Sequence, residues 1–496
     1  MARRTVSRRK FLTRGAIVAS AVIAGPTLFD IEELFAQTTF TRRNVGSLTA
    51  SSSAIVGYKR AINAMRALPA SNPTSWAYQA AIHGTTVMPA RTAWNTCQHG
   101  NFFFLSWHRM YLYWFERIVR SKSGVATWAL PFWDYAAPAQ RRLPAMFRTP
   151  SDPATNPLYV AARRTALNDG TGSLSSTIVS PSVALSRTAF TGRALTFGGN
   201  NPGTGDLEQR PHNEVHVAIG GWMGDPNTAA QDPIFWLHHA NIDRYWNVWL
   251  KQGGGRSNPI GNATWRGRRF IFFRENGTAV QMTACDILNA AIQLRYRYQD
   301  EPSQVTQNCP PMLAAAAAAP VVQQVARREL PIPIPEPEMI VATAEPVVRT
   351  MEMATMPAEA VSAARAAVTS RSQTVLLELG VVEAAEQPGV IFDVWVGLEG
   401  LPDENTPRAH HVGTIALFAL GVHKHMARGH EGEHRASFVF PLDSAIGPAL
   451  ARNADRIRIV IVPRDPVEVG GRSERRAPAS PLRITDMRVT LEDRQP

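Results

Sequence analysis

Thirteen histidines fall into two groups, seven between positions 83 and 239 and six between 410 and 434. The first group is His83, His99, His108, His212, His216 and the adjacent pair His238-His239. His212 and His216 are four residues apart, so a helix puts them on one face, where they can share a metal ion. A hydrolytic zinc helix has that spacing but needs a glutamate directly after its first histidine. Here Asn213 follows His212, and Glu214 points to another face. A zinc hydrolase would also leave His83, His99 and His108 without a task. Six imidazoles with no carboxylate or thiolate partner at an obvious spacing suit two copper ions, three nitrogens each. A satisfied core histidine is the ordinary reading of any one of them, and it fails for the set.

The elements that must position these rings are helical. Residues from about Thr38 to Asp300 are rich in Trp, Phe, His and Arg, with helical periodicity over Phe102–Val119 and Ile234–Leu250. Residues 311–372 change character, with six consecutive alanines from Ala314 and the run Pro331-Ile332-Pro333-Ile334-Pro335, and are expected to be a linker. From Gln373 onward, apolar runs alternate with Gly/Pro breaks: Val375–Leu379, Ile391–Val396, Gly413–Phe418, Ser437–Phe440, Ile457–Val462 and Leu482–Ile484. That pattern predicts an all-β sandwich over 373–496.

The chain has 496 residues, enough for two or three domains, and a net charge of +12. The basic excess is scattered, with no Lys/Arg stripe interleaved with aromatics, which argues against nucleic acid as a partner. Three cysteines exclude a disulfide scaffold and a cysteine-rich zinc module. Residues 1–36 read as a cleaved export signal, with a basic start at Ser7-Arg8-Arg9-Lys10-Phe11-Leu12, an apolar run from Gly15 to Ala24, and Ala36 at the end. The paired arginines resemble a twin-arginine signal, which implies the matching export machinery and a periplasmic or secreted location. The apolar run is too short to serve as a stable membrane anchor.

Two motifs carry a resemblance to a known family. The stretch His99-Gly100-Asn101-Phe102-Phe103-Phe104-Leu105-Ser106-Trp107-His108-Arg109, with Leu112 and Glu116 behind it, resembles the first-copper signature of tyrosinases and polyphenol oxidases. The stretch Asp232-Pro233-Ile234-Phe235-Trp236-Leu237-His238-His239-Ala240-Asn241-Ile242-Asp243-Arg244 resembles the second-copper signature. Phe270–Asn276 and Tyr296-Arg297-Tyr298 are similar to the end of the plant-type core. Phe392-Asp393-Val394, His423-Lys424-His425 and Val460–Arg464 are similar to the plant carboxy-terminal domain.

The resemblance implies a dicopper domain over 37–310, with a four-helix bundle as its core, followed by the linker and the β domain. It implies His83, His99 and His108 on the first copper and His212, His216 and His239 on the second; spacing alone leaves His238 and His239 open. Plant enzymes carry two disulfides near the start of the core and a histidine-linked cysteine after the first ligand, and this chain departs on both counts. Cys97 stands two residues before His99, as in fungal tyrosinases and molluscan haemocyanins, which implies a Cys97–His99 thioether; a plain buried thiol is the alternative. Cys285 and Cys309 are then left either to pair or to stay free.

Asp243, one turn after His239, is expected to orient a nearby imidazole. Phe235, one turn before His239, is expected to pack over the metal pair. By resemblance Glu208 and Asn213 hold a water that accepts the proton of an incoming phenol. The implied activity uses O2 to oxidise o-diphenols to o-quinones and also hydroxylates monophenols. The rival is a haemocyanin-like O2 carrier with the same six ligands. The β domain is expected either to lie over the copper mouth as a lid or to be a fixed structural partner. His423, His425, His430 and His434 read as solvated loop residues, with weak copper collection as the alternative.

Overall fold

The computed structural model describes residues 39–301, 305–310, 327–330, 338–352, 357–397, 409–418, 436–446 and 456–494. The signal expected at 1–36 and the four histidines 423, 425, 430 and 434 lie outside the described residues.

Five helices organise the first domain: α1 (Ser53–Arg66), α2 (Trp76–His83), α3 (Phe104–Ser123), α4 (Glu214–Ile219) and α5 (Pro233–Lys251). Their ends follow local chemistry. The Ser75 hydroxyl accepts the Tyr78 N–H at the start of α2, and the Asp232 carboxylate accepts the Ile234 N–H at the start of α5, with Pro233 in the first turn. Gly124 closes α3 in the left-handed conformation, with φ of +70°. Helices α3 and α5 correspond to the two periodic segments read from the sequence. Both are buried on nearly every side, so their polar residues must find partners inside the protein.

Short strands frame the helices: β1 (Phe40–Arg42), β2 (Gly172–Leu174), β3 (Phe270–Phe273), β4 (Ala279–Met282) and β5 (Tyr296–Tyr298). Parallel pairing of β1 with β5 sets Arg42 beside Tyr298. The Asp243 carboxylate is the centre of the resulting knot. It accepts Arg109 Nε at 2.5 Å, Arg42 Nη1 at 3.2 Å, and the hydroxyls of Tyr296 and Tyr298 at 2.6 Å each. The expectation that Asp243 orients an imidazole is therefore corrected. Its two oxygens are occupied by four donors from α3, β1 and β5, and none of these is a histidine. The two guanidiniums hold the Asp243 carboxyl below the usual carboxylate range despite burial, which pushes the other way.

The second domain is a β-sandwich. One sheet runs β11 (Ala409–Ile415), β10 (Ile391–Gly397), β13 (Arg456–Arg464), β8 (Val347–Glu352). The other runs β12 (Ala436–Pro441), β9 (Gln373–Glu383), β15 (Leu482–Asp493), β6 (Arg327–Leu330), with β7 (Met339–Val341) also on β15. All six strands predicted from alternation are present. The expected linker is corrected where it is described: within 311–372 the chain supplies β6, β7, β8 and helix α6 (Ala358–Ser370). Their sequences hide this, because Arg327-Arg328-Glu329-Leu330 is an edge strand with little apolar content, and α6 packs through Ala360, Ala364 and Ala367.

The two domains share a sheet. Strand β14 (Val467–Val469) pairs antiparallel with β2 of the helical domain, Val467 opposite Leu174. Gly172 permits this approach, since a Cβ there would lie 2.7 Å from the Val467 side chain. Glu468 accepts the Ser176 N–H at 3.1 Å and pairs with Arg141 at 3.3 Å.

Removing one member of a buried ion network strands its partners. Asp243→Asn is expected to lower stability by about 3–5 kcal/mol, measured as the shift in a chemical denaturation midpoint.

Candidate metal centre

Two clusters of buried side chains lie side by side. In each, one ligand atom per residue falls within 4.8 Å of all the others: His83, Cys97, His99 and His108 in the first, and His212, His216, His238 and His239 in the second. His83 comes from the end of α2, His108 from α3, His216 from α4, and His238 and His239 from α5. His99 lies on the loop before α3. His212 lies in a wide turn, Glu208–Asn213, that runs directly into α4. The structure thus brings together all six sequence-predicted ligands and adds Cys97 and His238 to their clusters.

The hydrogen bonds fix which nitrogen each ring presents. The Nδ1 atoms of His83, His108 and His216 lie 2.8 Å from the carbonyls of Pro226, Phe104 and Met223, and His212 Nδ1 lies 2.8 Å from Asn213 Oδ1. A carbonyl oxygen only accepts, so Nδ1 carries the proton and Nε2 keeps its lone pair. His83 Nε2 and His212 Nε2 are buried and without a partner, and His216 Nε2 meets His239 Nε2 at 3.3 Å. Unpartnered lone pairs converging in a dry site fit metal ions of the copper kind, which take neutral imidazole. Burial holds the rings neutral, lowering His83 to about 4 and His212 to about 3. Protons therefore compete for these nitrogens only in acid.

Cys97 Sγ faces the His99 ring, 3.4 Å from Nδ1 and 3.7 Å from Nε2, and lies 3.5 Å from His108 Nε2. Burial pushes its thiol up, so it is held as SH. Phe235 packs as expected, with ring centroids 4.2 Å from His239 and 4.9 Å from His83. Glu208 Oε1 accepts the Gly100 N–H at 2.7 Å while Oε2 is buried without a partner, and burial pushes its carboxyl up to about 8. Glu214 turns away from the rings into an ion pair with Arg210 at 2.9 Å. Cys285 and Cys309 form a disulfide, with Cα atoms 5.6 Å apart.

One residue escaped the sequence. Strand β11 was expected to run to Phe418, but it ends at Ile415, and the chain then carries Phe418 into the histidine centre. Its ring stacks on His216 with centroids 3.7 Å apart and planes at 16°, and it lies 5.6 Å from His99 and from His212. Gln387 Nε2 donates to the Phe418 carbonyl at 3.0 Å and Arg210 to Thr414 Oγ1, fixing the segment from both domains. The only hint was the loss of polar residues after Thr414.

The model for the common central domain of tyrosinase matches residues 73–181 and 163–252, and that for the polyphenol oxidase middle domain matches 260–310. A tyrosinase of Hahella sp. (strain CCB-MM4) is 39% identical over 292 residues, covering 50% of this chain and 60% of that protein. The latent form of a chloroplastic polyphenol oxidase of Prunus armeniaca is 31% identical over 279 residues, covering 49% of this chain and 46% of that one. The matched part of the chain thus spans 46% to 60% of these relatives' length. In fold it is similar to latent aurone synthase (TM-score 0.61, 21% identity, 93% of this chain and 91% of that one) and to latent apple tyrosinase (0.58, 20%, 92% and 98%). Residues 73–252 and 260–310 thus match the central domain of tyrosinase and the middle domain of polyphenol oxidase, and the two histidine clusters set in and around them fit two copper sites.

Proposed function

We propose that the protein is a type-3 copper oxidase that converts o-diphenols to o-quinones and also hydroxylates monophenols, held latent by its β domain. The observation that carries the proposal is the pair of buried clusters with imidazole lone pairs turned inward. In this reading His83, His99 and His108 hold one copper ion and His212, His216 and His239 the other. Bound copper supplies the redox chemistry by which two o-diphenols and one O2 give two o-quinones and two waters. His239 is preferred over His238 because the family pattern puts the ligand second in the pair, and its Nε2 faces His216 Nε2 at 3.3 Å. In the mature protein Cys97 is joined to His99 by a thioether, its S–H and a ring C–H giving way to an S–C bond with O2 taking the two electrons and two protons, which freezes that ring. An O2 carrier would need no proton acceptor, whereas this site has Glu208 beside it.

The protein's own groups handle orientation and protons. The carbonyls of Pro226, Phe104 and Met223 lock three rings, and Asn213 locks a fourth. Glu208, with one free oxygen, and Asn213 hold the water that takes the phenol proton; a phenol of pKa about 10 otherwise keeps it at neutral pH. Phe418 stands where a substrate ring would lie against His216, which supports the lid reading of the β domain. Export along a twin-arginine route, read from residues 1–36, belongs to the same proposal.

His108→Ala is expected to reduce bound copper from about two ions per chain to about one, because a metal left with two ligands loses affinity, and to abolish catechol-dependent O2 uptake. Retained uptake would remove His108 from the site. Asn213→Ala is expected to reduce monophenol turnover by roughly tenfold or more while sparing catechol, which is more acidic and chelates. Because the Glu208 carboxyl is raised to about 8, it is neutral below that pH and a carboxylate above it. Monophenol kcat/KM should therefore climb as pH rises through this range, and Glu208→Gln should flatten the climb. For the lid, Phe418→Ala in the full chain should raise the rate per copper on bulky diphenols by roughly tenfold. An unchanged rate would make the β domain a structural partner only.

A further inference from the structure

A second cavity, of about 690 Å³, opens on the far side of α3 from the histidines. Its wall includes Arg117 and Arg120 of α3, Arg274 and Glu275 of the β3–β4 turn, and Arg295 just before β5. Arg117 lies nine residues beyond His108, which at 1.5 Å per residue is about 14 Å along the helix. The cavity is therefore separate from the metal centre.

Its charges do not balance. Arg117 forms a two-pronged pair with Glu275, at 2.6 and 3.0 Å. Arg120 reaches Glu116 at 2.5 Å, but that carboxylate also serves Arg42 at 2.7 Å. Glu275 also feels the Arg274 charge, but among the described residues no carboxylate lies within ion-pair distance of Arg274 or Arg295, so one carboxylate faces three guanidiniums beside Arg120. Burial and the nearby Arg117 and Arg42 lower the Arg120 guanidinium despite Glu116, as expected where negative charge is short. Arg295 also holds a left-handed backbone with φ of +59°, an uncommon conformation for a residue with a side chain, while its carbonyl accepts the Phe40 N–H at 2.7 Å. The chain thus keeps an arginine at this rim position where glycine would be less strained.

The remaining walls are apolar and flat. Arg120 Cζ stacks 3.5 Å over the Phe40 ring, Arg117 lies 5.8 Å over Tyr113, and Leu294 is buried at the back. Guanidinium planes pair with carboxylates in two-pronged fashion and stack on aromatic faces, so one ligand with both features uses the whole surface. The volume is in the range of small-molecule sites.

We propose that this cavity binds a small aromatic carboxylate, its carboxylate on Arg274 and Arg295 and its ring beside Tyr113 and the Arg120 guanidinium. The test uses 2-naphthoate, which has no hydroxyl to oxidise, titrated by calorimetry into the copper-loaded full chain. The double variant Arg274→Ala/Arg295→Gly leaves the metal centre intact, and glycine keeps the left-handed backbone. Any binding of the probe at copper is common to both proteins, so their difference isolates the cavity. Affinity is expected to fall about tenfold or more in the variant, with catechol turnover per copper unchanged. In the unmodified protein the neutral 2-naphthamide should bind about tenfold more weakly than 2-naphthoate. Equal affinity of variant and parent, or of amide and acid, overturns the proposal. Displacement of 2-naphthoate by an equal concentration of sulfate also overturns it, because the site would then be for inorganic anions.

Discussion

Burying seven imidazoles in one dry volume is the constraint to which the rest of the structure answers. Each ring that loses water must place two nitrogens, and a buried nitrogen without a partner is costly. For four of these rings the fold meets one nitrogen with an oxygen, the carbonyls of Pro226, Phe104 and Met223 and the Asn213 amide. Their second nitrogens it leaves to converge on two points. Such an arrangement makes sense only if metal ions complete it, since packing alone would be better served by apolar side chains.

Holding those rings in place requires α2, α3, α4 and α5 to meet with little freedom. The Asp243 knot does much of this work at a distance from the metals. One carboxylate gathers Arg109 from α3, Arg42 from β1 and two tyrosines from β5, so the start and end of the helical domain are tied to its centre. Arg42 extends the network to Glu116, and Arg120 carries it to the edge of the arginine-lined cavity. The charges are paired almost wholly within the interior, which is why so many can be buried. The excess at the cavity rim stands out against that background.

The β domain is joined by backbone as well as by side chains. Pairing of β14 with β2 makes it an extension of the helical domain, and the same domain delivers Phe418 to His216. Strands β6, β7 and β8 draw parts of the expected linker into the sandwich.

By itself the sequence determined α3 and α5, which carry His108 and the His238-His239 pair, the six predicted β strands and the two-metal chemistry, because periodicity and ligand type are local properties of a chain. It also placed Phe235 correctly, since a residue one turn from His239 on a buried helix must lie over the same site. Tertiary structure decided the rest. Asp243 has the spacing of a residue that orients a histidine, yet four distant arginine and tyrosine neighbours from other elements reach it first. Cys285 and Cys309 are paired because the fold brings their Cα atoms to 5.6 Å. Phe418 reads as one more apolar strand residue, and only the packing of one domain on the other turns its ring into the metal centre. Contacts between elements far apart in sequence carry no periodic signature, so the Phe418–His216 stack, the Asp243 knot and the strands hidden in the Ala/Pro-rich tract emerged only from the folded chain.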